Sequence, residues 1–172
     1  MRLLAIMGLF ASLFGGGRKQ AAQPQQSTPQ QPQISPRLAE IAFLALDHGI
    51  YSIQDGEHPL IPFVISEKTE GKRKLDRYMS CATGGWVLEE SLAQARLAVS
   101  RLPSDVTAYA IAHDGYVTIE GTKYDAILVE ASERSRPRAV LLAQRYIPKT
   151  EQQSFQRIGN AAFLGDEESR LR

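Results

Sequence analysis

The sequence predicts an α+β fold built on one antiparallel sheet, and three observations predict it. Two segments early in the chain carry apolar residues at helical spacing. Beyond residue 105 the pattern changes to short β-rich runs separated by turn residues. The connections between those runs are too short for the crossovers that parallel neighbours need, so consecutive strands must run antiparallel. The expected sheet has about five to seven strands and ends in a C-terminal meander, with both helices on one face.

The first helix is expected from about residue 36 to 48. Ser35 supplies a capping hydroxyl, and the fixed φ of Pro36 suits the first helical position. Leu38, Ile41, Ala42 and Ala45 share a face that Phe43, Leu44 and Leu46 widen, and Gly49 offers a stop. A strand follows over 62–66, where Pro62-Phe63-Val64-Ile65-Ser66 places a proline at a sheet edge. Glu70-Gly71-Lys72 is its expected turn and Lys74 to Ser80 its return strand.

The second helix, 88–102, is the clearest amphipathic segment. Leu88, Leu92, Ala95, Val99 and Leu102 keep a spacing of three or four, and Pro103 ends the run. Glu89 and Glu90 in its first turn, with Arg96 and Arg101 later, suit the helix dipole. In the meander, 108–112 and 116–119 flank His113-Asp114-Gly115, and Asp-Gly between β-rich runs signals a hairpin turn. Runs over 124–131 and 139–146 add two strands, and 161–164 adds a short last one.

Composition changes near residue 34 and sets the expected domain limits. Residues 1–19 form an apolar leader, 20–33 a disordered spacer almost entirely of Gln, Pro, Ala, Ser and Thr, and 34–172 a single α+β domain. The apolar run from Leu3 to Phe14 is too short for a bilayer-spanning helix. It is read as a lightly surface-active cytosolic leader, with weak peripheral membrane contact through residues 1–19, a secretory signal or acylation at Gly8 as alternatives. Of the chain's 20 basic residues, Arg2, Arg18 and Lys19 lie in the first 33, which hold no acid, so the remainder carries 17 basic and 19 acidic residues. That balance argues against a nucleic-acid binder. The single cysteine excludes an intramolecular disulfide and fits a cytoplasmic location, with export or membrane association through the N-terminal segment as the alternative.

Residues that carry chemistry are few and dispersed. Cys81 stands before the second helix, whose N-terminus favours a thiolate, and His113 with Asp114 as its orienting group is the imidazole best suited to activate it. Thr83-Gly84-Gly85 offers a weak anion cradle but lacks a full phosphate-loop pattern. Asp55, Glu57 and His58 read as turn chemistry before they read as a metal site, and Lys72-Arg73-Lys74 as a solvated hairpin tip. Trp86, Tyr109, Tyr116, Tyr124 and Tyr146 form the candidate binding set, since tyrosines alternating onto an open sheet face combine contact area with a polar tip. No cofactor or metal motif is present. The expected function is a non-catalytic domain that binds a protein partner or itself, with a Cys81–His113 thiol enzyme as the alternative.

Overall fold

The computed structural model describes residues 34–56, 59–82 and 85–171. The expectations for the leader and the spacer, and those for Glu57, His58, Thr83 and Gly84, lie outside the described residues. From Ile34 onward the chain packs as one unit. Helix α1 (Pro36–Ile53) leads to the hairpin β1 (Phe63–Lys68) and β2 (Arg73–Arg77). A two-residue hairpin, β3 (Cys81–Ala82) with β4 (Gly85–Trp86), precedes α2 (Leu88–Val99). Four long strands complete the chain: β5 (Val106–Ile119), β6 (Thr122–Glu133), β7 (Arg138–Ile147) and β8 (Gln156–Glu168).

These strands form one six-stranded antiparallel sheet in the order β2-β1-β5-β6-β7-β8. The α+β class and the C-terminal meander are therefore as the sequence predicts. Ser35 caps α1 by accepting from the Leu38 amide at 3.0 Å. The helix passes through Gly49 and ends four residues later. Gly49 serves contact: a Cβ there would lie 2.9 Å from Cγ2 of Ile127 in β6, so the glycine lets α1 approach the sheet.

The helices do not share a face. On β1 and β5, Phe63, Ile65, Ala108, Ala110 and Ala112 point towards α1, where they meet Leu38, Ile41, Ala45 and Leu46. The alternate residues Val64, Tyr109 and Ile111 point the other way and pack under Ala95 and Val99 of α2. The expected one-faced arrangement is thus corrected, because β5 is apolar on both sides and each side needs a cover. Alanines on the α1 side let that helix lie close, whereas Tyr109 and Ile111 supply the bulk packed beneath the shorter α2.

The expected hairpin turn at His113-Asp114-Gly115 is also corrected. Those residues lie inside β5, pairing with Leu128, Ile127 and Ala126 of β6. The turn falls at Glu120-Gly121, where φ is 50° and 79°, the positive values that a two-residue hairpin loop requires. Asp114 is placed for its carboxylate, which accepts from the Leu60 amide at 3.2 Å and from the Tyr146 hydroxyl at 2.7 Å. Gly115 is placed for its missing side chain, since a Cβ would stand 2.6 Å from Cδ1 of Leu128.

Candidate functional site

The sequence-derived candidates separate in space. Cys81 is exposed at the β3–β4 hairpin, opposite Trp86 in register. It has no hydrogen bond to an imidazole among the described residues. The His113 Nδ1 engages the Asp114 carbonyl at 2.9 Å instead, and Asp114 serves Tyr146 and Leu60 rather than orienting His113. Burial lowers the His113 pKa, with the nearby Arg96 charge acting in the same direction, so the ring is disposed to stay neutral. Gly85 has φ 130° at the hairpin.

The aromatic set divides between the two faces and between interior and surface. Tyr109 is fully buried under α2, and Tyr146 is buried on the α1 side. Both phenols are pushed up, first by burial and then by a neighbouring carboxylate, Glu130 for Tyr109 and Asp114 for Tyr146. Neither offers surface to a partner. Tyr116 is 59% exposed, with the Lys123 ammonium 3.5 Å above its ring. Tyr124 is half-buried beneath the Arg145 guanidinium at 5.0 Å. Trp86 is partly buried and donates its indole N–H to the Ser91 hydroxyl at 2.8 Å, tying the β3–β4 hairpin to α2.

Two features emerge that local sequence patterns do not carry. One is a charged cluster beneath α2. Glu130 of β6, only 2% exposed, accepts at Oε1 from the Tyr109 hydroxyl and from Nε of Arg170, each at 2.8 Å. Its Oε2 lies 3.5 Å from Nε of Arg96 on α2. Burial raises the Glu130 pKa, the adjacent Glu167 carboxyl adds to that, and Tyr109 and Arg170 oppose it. The Arg170 amide also donates to the Tyr109 hydroxyl, and Leu171 closes the apolar cluster under α2. The cluster fastens the segment after β8 to the sheet. The sequence does mark the carboxylate, since Glu130 interrupts the apolar stretch Ala126 to Ala131 and such a residue is rarely buried without partners, but it does not mark those partners.

The second feature is bare sheet. Helix α2 packs on β1 and β5, and beyond it the same face continues across β6, β7 and β8. There Val117, Ile119, Ala143, Ala162 and Leu164 line a shallow hollow of about 120 Å³, with Arg145 and Asn160 at its rim. Ile119 and Leu164 are 41% and 51% exposed. Of the expected aromatics, Tyr124 stands on this face, as its strand alternation and its contact with Arg145 place it.

Strand β8 borders the hollow and is an edge of the sheet. It is bulged twice against β7, and the wider irregularity is filled by the buried Gln144, whose Nε2 donates to the Ile158 and Gly159 carbonyls at 2.9 and 3.2 Å. The opposite edge, β2, is Arg73-Lys74-Leu75-Asp76-Arg77, charged at four of its five positions and so protected against strand addition. Among the described residues no group of three or more His, Cys, Asp or Glu side chains could hold a metal ion, and no helix is long and apolar enough to cross a membrane. No protein-family model, curated protein or solved structure matches this chain.

Proposed function

We propose that this is a non-catalytic binding domain that associates with a second copy of itself through the bare face beside β8. The observation that carries this reading is the pair of exposed aliphatic side chains, Ile119 and Leu164, that converge on one hollow beyond the reach of α2. Contiguous exposed apolar surface rimmed by polar groups is the usual mark of an association site.

A second copy is favoured because β8 is complementary to itself. It opens on Gln156 and the basic Arg157, passes through Ala161-Ala162-Phe163-Leu164, and ends with Asp166-Glu167-Glu168. Two such strands laid antiparallel about Ala162 bring Arg157 of one copy, which pairs within its own chain with Asp47, opposite Glu167 of the other, which pairs with Arg170, so that opposite charges meet at each end with the apolar middles in contact. The bulges interrupt the row of edge amides, so side chains rather than an extended hydrogen-bond ladder carry the contact. A cytoplasmic location goes with this reading, since an unpaired and exposed Cys81 suits a reducing compartment.

Sedimentation of the full chain over about two decades of concentration tests it, because an association equilibrium depends on concentration. The expected result is a reversible monomer–dimer equilibrium that Leu164→Asp displaces towards monomer. Monomer at every concentration, or unchanged dimerisation of the Leu164→Asp chain, overturns the proposal.

A further inference from the structure

Away from the β8 face, the last turn of α1, the approach to β1, the end of β2 and the β3–β4 hairpin enclose a cleft of about 300 Å³. Leu60, Ile61, Met79 and Trp86 supply most of its lining, and Arg77 supplies a charge. Leu60 is buried as a floor, and Met79 is 54% exposed at the rim. The indole N–H of Trp86 is already held by Ser91, so this side chain offers the cleft apolar ring surface.

Arg77, like Arg101 and Arg145, has no ion pair with a carboxylate among the described residues, unlike Arg37, Arg73, Arg96, Arg138, Arg157 and Arg170. The Arg77 Nη2 lies 3.1 Å from Nε2 of His48. A guanidinium only donates, so Nε2 must accept and the ring must be neutral. Burial, and then the Arg77 charge itself, lower the His48 pKa and keep it so. The imidazole is in turn fixed edge-on to the buried Phe63, with ring centroids 4.9 Å apart at 89°. The result is a guanidinium braced by a neutral acceptor, standing beside an apolar floor and an aromatic wall with no counter-ion among the described residues.

We infer that this cleft binds a small organic acid, whose aromatic or branched aliphatic body rests on Leu60, Met79 and Trp86 while its carboxylate pairs with Arg77. A planar guanidinium matches a carboxylate in a two-point hydrogen bond, and His48 leaves its remaining N–H groups available for that pairing. The volume sits at the small end of ligand pockets, which suits a compact acid rather than a nucleotide or a long acyl chain.

Trp86 is the only tryptophan, so its emission reports on the cleft. Phenylbutyrate titrated into the full chain is expected to change that emission saturably, with calorimetry as a second readout. Phenylbutanol, of the same shape without charge, is expected to bind at least about tenfold more weakly, and Arg77→Gln to weaken the acid by a similar factor without affecting the alcohol. Met79→Asp leaves Arg77 in place at an exposed position, so it tests the site independently of any folding effect at Arg77. It is expected to weaken the acid by opposing its charge. Equal affinity for acid and alcohol, acid binding unchanged in both variants, or no saturable binding by either readout overturns the inference. Dimerisation at the β8 face stands or falls separately.

Discussion

Replacing Gly115 with alanine distinguishes a glycine chosen for its backbone from one chosen for its missing side chain. Gly115 lies mid-strand and is not among the glycines with positive φ, so alanine meets no backbone strain and by itself gains about 0.5–1 kcal/mol from reduced chain entropy. The added Cβ, however, falls 2.6 Å from Cδ1 and 3.3 Å from Cγ of Leu128, well inside contact distance. Forcing one carbon into a packed site costs about 1–3 kcal/mol, and the contact is with the end of a side chain that can rotate, so the low half of that range applies. The expected net loss for Gly115→Ala is therefore about 0.5–1 kcal/mol. Urea unfolding followed by circular dichroism measures it. The decisive comparison is the double-mutant cycle with Leu128→Ala, which removes the obstructing atoms. In that background Gly115→Ala should become neutral or stabilising, giving a coupling of about 0.5–2 kcal/mol. An equal loss in both backgrounds would refute the steric account.

Two further predictions concern the buried polar groups. Glu130 has a raised pKa in the folded chain, so its contribution to stability is full below about 4.5, its ordinary value, and is lost as pH rises through the folded value. Glu130→Gln removes that dependence; urea midpoints across the acidic to neutral range should show wild type losing ground to the variant as pH rises, by at most about 1.4 kcal/mol per pH unit. A difference independent of pH contradicts the shift. Tyr146→Phe deletes the 2.7 Å hydrogen bond to buried Asp114 and should cost about 1.5–3 kcal/mol in the same assay, whereas Tyr116→Phe, at an exposed ring, should stay within about 0.5 kcal/mol. Equal effects at the two tyrosines contradict the assigned roles.

The elements legible in the sequence were those whose residues repeat with a period. The apolar stripe beginning at Leu38 announces α1, that of Leu88 to Val99 announces α2, and the runs within 124–131 and 139–146 announce β6 and β7. Two glycines misled for one physical reason. Gly49 and Gly115 both match the chemistry of chain reversal, yet each serves close approach, to Ile127 and Leu128 respectively, and local sequence does not show what lies opposite. Asp114 misled likewise, because a carboxylate that caps a distant amide resembles one that shapes a turn. The placement of the helices was readable in part: Ala108 to Ala112 is apolar on successive rather than alternate residues, the pattern of a strand covered on both sides. The Glu130 cluster was not, since Arg96, Tyr109, Glu130 and Arg170 come from four separate parts of the chain. The hollow beside β8 depends on α2 being too short to cross the whole sheet, a fact of tertiary geometry.

The strand order has a kinetic consequence. Strands β5 to β8 each pair with the next in sequence, so every closure in the meander joins segments only a short loop apart. Strand β1 meets β5 only after β2, the small hairpin and α2 have been passed, with Phe63 opposite Ala112. Closing that longer loop carries the greater entropic penalty, which favours a nucleus among β5, β6 and β7 and a late arrival for the β1–β2 hairpin. Until that arrival the β1-facing border of β5, with Tyr109 and Ile111 in it, is unpaired, and this interval is when the growing molecule is most open to mispairing with another chain.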